Sequence, residues 1–327
     1  MRQASESQKR RDGENELGAE SKSMKGQAAS GAAVQAKRSA QVQDGTTRFA
    51  FRKILFATDL STAAEKALPY ALEIARRYGA TLYVVHAIAP VGYPYAPVAA
   101  WPNLEEQEAQ FRSQAQQRLE HRLEGTAHET YFRHGQVLPV LRELIESKQI
   151  DLLIIGTHGR TGMDKVVLGS VAESIFREAK CPVLTVGPRA NSPSSSAAEL
   201  SRILYATDFT PESLAAAPYA ISLCREHRAR LILLNCLENG GDARLMIRTL
   251  RELVPFGADL RTEPICIAEQ GSHAQKIPEV CEAHGADLLV LGVSVEKYPL
   301  SSPLHFHRSA LYKVIALATC PVLTVRA

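Results

Sequence analysis

The feature that most constrains this chain is that its sequence repeats itself. Residues Ile54-Leu55-Phe56-Ala57-Thr58-Asp59 return 149 positions later as Ile203-Leu204-Tyr205-Ala206-Thr207-Asp208. Residues Cys181-Pro182-Val183-Leu184-Thr185-Val186 return 139 positions later as Cys320-Pro321-Val322-Leu323-Thr324-Val325. Two shorter matches lie between them in the same order: Pro69-Tyr70-Ala71 with Pro218-Tyr219-Ala220, and Asp151-Leu152-Leu153 with Asp287-Leu288-Leu289. Since four matches in one order are hard to obtain by chance, we interpret the chain as a tandem duplication.

The matches also divide the chain into segments. Copy one is predicted at about residues 50–189 and copy two at about 200–327, with a polar, serine-rich linker at 190–199. Residues 1–48 are rich in Ser, Gln, Ala, Gly, Lys and Glu without apolar periodicity, so we predict a disordered N-terminal tail. A transit peptide is the alternative, although acidic residues such as Glu6 and Asp12 count against it.

Composition excludes several classes of function. The 327 residues carry a net charge of +3, too small to indicate a nucleic acid or an anionic membrane as partner. No apolar stretch approaches the ~18 residues of a transmembrane helix. The six cysteines form no C-x-x-C pair, and reduced, buried thiols are typical of a cytoplasmic protein. We therefore expect a cytoplasmic location.

Each copy alternates strand and helix patterns. In copy one, short β-rich runs alternate with stretches of helical periodicity. The predicted strands are 53–58, 81–88, 128–133, 151–155 and 183–186, and the predicted helices are 63–78, 104–123, 138–147 and 170–179. This alternation predicts right-handed βαβ units and a parallel sheet. Each copy is therefore predicted to be a five-stranded α/β sandwich with helices on both faces.

A glycine-rich loop follows the fourth predicted strand of copy one. Ligands of open α/β sheets lie at the carboxyl ends of the strands, which is where this loop begins. Gly156 and Gly159 allow the backbone to approach a ligand closely, and Gly169-Ser170 opens a helix whose free N–H groups suit a phosphate. The loop is neither a Walker A loop nor a dinucleotide fingerprint. A tight connection without any ligand is the alternative explanation.

The spacing of these residues resembles a known family. Gly156-x2-Gly159-x9-Gly169-Ser170 is similar to the nucleotide-binding pattern G-x2-G-x9-G-[ST] of the universal stress protein family. Further similar segments are Ala57 to Ser61, Val84 to Ala87 and Cys181 to Leu184. The resemblance implies two tandem Rossmann-like domains of the adenine nucleotide α-hydrolase type, each with strand order 3-2-1-4-5. For copy one it implies ATP as ligand, with Mg or Mn as the accompanying cation.

The resemblance also assigns roles to residues. Asp59 would accept from or orient the adenine, Ala57 and Thr58 would line its pocket, and the backbone of Ala87 would meet the adenine edge. Ile155 and Gly156 would run beneath the ribose. The triphosphate would be held by Gly159, Gly169 and Ser170, with Val171 just inside the helix. Apart from the resemblance, Arg160 lies in the loop and could reach a phosphate. A solvated position is an equal alternative for Arg160, and His86 is expected to be a hydrogen-bonded core histidine.

Copy two departs from this pattern at the loop. Gly159 corresponds to Val295 and Gly169 to Arg308, while Gly292 and Asp208 keep the residues of copy one. A β-branched side chain disfavours glycine-like conformations, and an arginine would fill the phosphate space. We therefore expect copy two not to bind ATP in the same way, and to act as a scaffold or as a site for another ligand.

The last strands of the two copies are nearly identical and apolar. An exposed edge of this kind needs a partner, so we expect the copies to pair there as an intramolecular pseudo-dimer. A homodimer of whole chains and an unidentified protein partner also remain expectations.

Three functions are consistent with the sequence. The leading hypothesis is an ATP-binding stress-response regulator that acts through nucleotide-dependent conformation. The second is an interaction module of the same fold without a nucleotide. The third, an adenylate-forming enzyme, is disfavoured because residues 59–63 lack the phosphate loop such enzymes carry after the first strand. No catalytic residue can be assigned, and at most slow ATP hydrolysis or autophosphorylation is expected.

Overall fold

The structure of the chain is a computed structural model. It describes residues 40–43, 46–88, 104–157, 172, 174–175, 178–191, 199–238, 240–293 and 305–326. Among these residues the strands are β1 (Ala40–Gln43), β2 (Thr46–Phe49), β3 (Lys53–Ala57), β4 (Thr81–Ile88), β5 (His128–His134), β6 (Leu152–Gly156), β7 (Val183–Val186), β8 (Arg202–Ala206), β9 (Arg230–Leu237), β10 (Ile265–Gln270), β11 (Leu288–Val293) and β12 (Val322–Arg326). The helices are α1 (Thr62–Tyr78), α2 (Leu104–Leu123), α3 (Val137–Lys148), α4 (Pro211–Leu214), α5 (Ala217–His227), α6 (Ala243–Glu252), α7 (His273–His284) and α8 (His305–Leu317). Of the predicted helix 170–179, residues 172, 174, 175, 178 and 179 are described, and the first four of these are helical.

The main sheet has ten strands in the order β10-β9-β8-β11-β12-β7-β6-β3-β4-β5. All strand pairs within each half are parallel. When the strands of each half are numbered along the chain, their order in the sheet is 3-2-1-4-5. The predicted fold class is therefore confirmed. This order places the first and fourth strands of each half side by side. From this point strands one to three progress toward one side of the sheet, and strands four and five progress toward the other.

Helices cover both faces of the sheet because successive strand residues point to opposite sides. In β3, Ile54 and Phe56 pack into the apolar layer that contains α1, α2 and α5. Leu55 packs into the opposite layer, which contains α3, α7 and α8. Both layers run through the two halves, and their side chains are almost fully buried. Burial on both faces explains why the central strands read as continuous apolar runs.

The two halves join through their last strands. Strand β12 pairs antiparallel with β7, with Leu323 opposite Leu184 and Thr324 opposite Val183. Leu184 and Leu323 are equivalent positions of the repeat, so a local two-fold axis passes through this pair. The Thr324 hydroxyl donates to the Val183 carbonyl at 3.2 Å, and the Asn191 N–H donates to the Thr319 carbonyl at 2.9 Å. The join is therefore a continuous sheet with polar contacts beside it.

An N-terminal hairpin, β1–β2, precedes the first half. The side-chain hydroxyl of Ser222 in α5 accepts from the Phe49 N–H at 3.0 Å and donates to the Phe49 carbonyl at 3.1 Å. The Phe49 ring stacks on Tyr219 with 4.0 Å between centroids. Residues 40–43 and 46–48 thus form strands, although the sequence placed them in a disordered tail. The composition could not indicate this, since the hairpin is held by a helix of the other half, 173 residues away.

Tyr78 and His227 meet where the C-termini of α1 and α5 approach each other. They are equivalent residues of the repeat, and their ring centroids lie 6.2 Å apart. His227 is 7 % exposed, and neither of its ring nitrogens has a hydrogen-bond partner within the described part of the chain. Burial, together with the Arg77 guanidinium, lowers the pKa of His227 to about 4. The interface therefore holds a neutral histidine at neutral pH.

This histidine predicts a pH-dependent stability. Its folded pKa lies below the ordinary value of 6.5, so the protonated ring favours the unfolded chain. The contribution is complete above about pH 6.5 and is lost as pH falls toward 4, to a maximum of about 3 kcal/mol. The variant His227→Phe keeps the ring volume and cannot be protonated, so it should lose less stability between pH 7.5 and 4.5. Urea denaturation at both pH values measures this difference, with His121→Gln as a control at an exposed histidine. Equal losses for wild type and His227→Phe would contradict the prediction.

Candidate functional site

A tight turn follows β3 at the carboxyl edge of the sheet. The Thr58 hydroxyl accepts from the Leu60 N–H at 3.0 Å, and one Asp59 carboxylate oxygen accepts from the Ser61 N–H at 3.0 Å. Leu60 adopts a left-handed conformation with φ of 62°. The Ser61 hydroxyl caps α1 by accepting from the Ala64 N–H at 3.2 Å. The turn thus fixes Thr58 and Asp59 by side-chain hydrogen bonds to the backbone.

Six of the predicted site residues come together at this edge. Ala57 is the last ladder partner of Val85 in β4 and of Ile155 in β6. The three strands therefore end side by side, which brings together Ala57, Thr58, Asp59, Ala87, Ile155 and Gly156. Thr58 and Ile155 are buried, whereas the other four are half-buried. The remaining predicted residues, Gly159, Arg160, Gly169, Ser170 and Val171, lie outside the described residues.

The second half forms the same turn after β8. The Thr207 hydroxyl accepts from the Phe209 N–H at 3.0 Å, and Asp208 accepts from the Thr210 N–H at 3.0 Å. Phe209 has φ of 64°. Burial raises the pKa of Asp208, but hydrogen bonds from Thr210 and Ser213 outweigh it, so the pKa is lowered overall. The turn belongs to the repeated fold, whatever ligand either half binds.

A buried side chain of the second strand supports this turn in each half. His86 Nδ1 lies 2.9 Å from the Thr58 carbonyl oxygen, which can only accept, so Nδ1 carries the proton. At the equivalent position Asn235 donates its amide to the Thr207 carbonyl at 2.8 Å. The sequence indicated a core histidine but missed this positioning role. The signal was present in the alignment of the copies, where two different side chains share the ability to donate a hydrogen bond.

The shared contact predicts which substitutions of His86 are tolerated. His86→Leu leaves the Thr58 carbonyl buried without its donor, which should cost about 1–3 kcal/mol of unfolding free energy. His86→Asn copies the second half and should cost less, although Asn fills less of the space beside Phe111 and Phe132. Urea denaturation tests the order, and Asn235→Leu and Asn235→His are the matched variants of the other half. A His86→Leu variant as stable as His86→Asn would show that the contact does not matter.

Gly292 is required for packing. A Cβ at this position would lie 2.1 Å from the Glu212 carbonyl oxygen and 2.4 Å from the Ser213 Cα, both in the backbone of α4. In the first half, α1 likewise packs on β6, the strand that ends at Gly156. Both halves have a glycine at this position, and at Gly292 the reason is that a helix crosses the end of the strand. This glycine therefore does not by itself indicate a ligand. The glycines that differ between the halves say more about ligand binding.

Among the described residues, no group of three or more His, Cys, Asp or Glu side chains is placed to hold a metal ion. Within the same part of the chain, every helix is too short or too polar to cross a bilayer.

The described chain is a Rossmann-like α/β protein whose candidate site lies at the carboxyl ends of parallel strands. The sequence profile of the universal stress protein family matches residues 50–187. A universal stress protein of Methanocaldococcus jannaschii is 30 % identical over 139 residues, which are 42 % of this chain and 82 % of that protein. Universal stress protein A homologue 1 of Coxiella burnetii is 35 % identical over 139 residues, or 42 % and 96 % of the two chains. The chain belongs to the universal stress protein family.

Solved structures extend the similarity in fold to both halves. The crystal structure of a universal stress protein from Archaeoglobus fulgidus covers 84 % of this chain and 98 % of its own, with a TM-score of 0.64. The crystal structure of a putative universal stress protein from Pseudomonas aeruginosa covers 85 % of this chain and 94 % of its own, with a TM-score of 0.57. The sequence identities of 20 % and 19 % limit this likeness to the fold. Membership of the family supports a role in the stress response.

Proposed function

We propose that the first half of this protein binds ATP and that the bound nucleotide regulates a stress response by stabilising one arrangement of the glycine-rich loop. The single observation that carries the proposal is the complete G-x2-G-x9-G-[ST] spacing that begins at Gly156, the last residue of β6. Free amides of a glycine-rich loop and a helix start suit a triphosphate. The proposed phosphate contacts are those of Gly159, Arg160, Gly169, Ser170 and Val171, with Mg or Mn as counter-ion.

The described edge offers complementary groups for a nucleoside. Strand β4 continues to Ile88, three residues beyond Val85, the last residue it pairs with β3. Alternate residues of a strand direct their backbone groups to the same neighbour, so Ala87 faces the β3 side as Val85 does. The Val85 carbonyl accepts a hydrogen bond from the Thr58 N–H at 2.9 Å. This supports Ala87 as the backbone position that meets the adenine edge, at the same end of the strands as Asp59 and Gly156.

The second half is proposed not to bind ATP in the same way. The turn at Asp208 and the packing glycine Gly292 are retained, yet both are explained by hydrogen bonds and contacts within the fold. The loop residues Val295 and Arg308, which lie outside the described residues, replace the motif glycines. We propose that this half is a scaffold for the first half, or binds another ligand.

The cytoplasm is the proposed location. All six cysteines are free thiols, and five of them are buried. Free thiols persist in a reducing compartment. A regulator that binds ATP also needs a compartment that contains it.

ATP binding by the two halves can be separated by mutation. Isothermal titration with Mg-ATP should detect one site per chain. Gly159→Val or Gly169→Arg should abolish binding, because a β-branched or long side chain would occupy the phosphate space. Thermal unfolding should show that both variants remain folded. Gly162→Tyr also copies the second half but lies outside the motif, and it should retain binding.

The nucleotide itself should be identified after purification. Acid extraction followed by mass spectrometry is expected to release ATP from the wild-type protein and none from Gly169→Arg. Two equivalent sites per chain, or full ATP retention in both motif variants, would show that the proposed site is wrong. Absence of any nucleotide binding to the wild type would favour the alternative, an interaction module of the same fold.

A further inference from the structure

A cavity of about 160 Å³ lies between α1 and α2 on one face of the first half. It begins beneath the turn that follows β3, at Thr58 and Leu60, and extends between the two helices. Its apolar wall includes Phe56 from β3, Leu68 from α1 and Phe111 from α2. Phe56 and Leu68 are almost fully buried, whereas Phe111 is 40 % exposed at the mouth. The cavity therefore has a closed apolar floor and an aromatic ring at its opening.

The size and lining of the cavity define the apolar part of a ligand. A cavity of about 150 Å³ lined by apolar side chains stays dry and binds benzene. The cavity here is of the same size, and two phenyl rings line it, which favours edge or offset contacts with a third ring. A single aromatic ring is therefore the group that fits its interior.

The charges at the mouth define the polar part. Glu65, Arg118 and Arg122 also line the cavity. The Arg122 guanidinium is 3.0 Å from the Glu65 carboxylate, so these two charges offset each other. Within the described part of the chain, Arg118 has no carboxylate partner. One positive charge thus remains at the opening, and the Gln114 amide lies beside it as a further donor.

We propose that this cavity is a binding site for a small aromatic carboxylate, with the ring inside and the carboxylate on Arg118. The ring packs against the apolar walls. The carboxylate stays at the mouth, where it is hydrated and pairs with the positive charge of Arg118. Most of the lining residues belong to α1 and α2, and the groups proposed to bind the ligand, Phe56, Phe111 and Arg118, are not residues of the proposed ATP site. Thr58 and Leu60 connect the two regions through the turn after β3.

Benzoate, benzyl alcohol and benzylamine test the proposal because they share the ring and differ in charge. Saturation-transfer NMR and titration on the full chain, at one ionic strength, should give benzoate the lowest Kd and benzylamine the highest. Arg118→Gln should raise the Kd of benzoate by about three- to fivefold, as for an exposed ion pair, and leave benzyl alcohol unchanged. Arg112→Gln, on an exposed part of the same helix, is the matched control.

A second variant fills the cavity. Ala115 lines it and is 6 % exposed, so Ala115→Leu should abolish binding of both benzoate and benzyl alcohol. Ala109→Leu adds the same volume on the exposed side of α2 and should bind like the wild type. Should Ala115→Leu fail to fold, the charge series with Arg118→Gln decides alone. The proposal is overturned if benzoate does not bind, if benzylamine binds as well as benzoate, if folded Ala115→Leu retains binding, or if saturating Mg-ATP displaces benzoate.

Discussion

The antiparallel pairing of β7 with β12 is the contact on which the rest of this structure depends. Each half alone would expose a buried-type apolar strand at the edge of a five-stranded sheet, and the pairing removes both edges at once. The pairing also reverses the strand direction between the halves. The carboxyl ends of the two sets of strands therefore lie at opposite edges of one ten-stranded sheet. The turn at Asp59 and the turn at Asp208 face different surroundings, so their loops can diverge independently.

The duplication has allowed equivalent residues to take different partners. The Tyr70 hydroxyl donates to the Asn191 carbonyl at 3.0 Å at the start of the linker, whereas its equivalent Tyr219 is covered by Phe49. Gly187, whose absent Cβ leaves room for the Ile315 carbonyl, is replaced in the second half by Arg326, which donates to the Ala179 carbonyl at 2.7 Å. The first difference involves the two segments that occur once, the linker and the hairpin, and the second involves contacts that cross from one copy to the other. A single-copy chain forming a symmetric dimer would have the same groups on both sides.

The sequence predicted the fold well because the repeat and the strand–helix alternation are local patterns, and the strand order came from the family resemblance. It also predicted that six candidate site residues lie at one end of the strands, because strand ends follow from strand positions. Features that depend on distant contacts could not be predicted. Ser222 holds Phe49 across 173 residues, and the cavity between α1 and α2 depends on how two helices pack. His86 could be predicted to be buried, but its bond to Thr58 needs the spacing of two strands.

Residues that both halves share are explained by the fold, and this determines where ligand specificity must lie. The Thr-Asp turn recurs with the same hydrogen bonds, and the second-strand donor recurs as histidine or asparagine. At Gly292 a helix backbone excludes any Cβ, so this glycine would be retained without a ligand. Loss of these groups would weaken the sheet edge itself. Because the edge is held independently of the loop, the second half could exchange its loop glycines for Val295 and Arg308 and still fold. The difference in nucleotide binding proposed for the halves therefore depends on the loop, not on the edge that supports it.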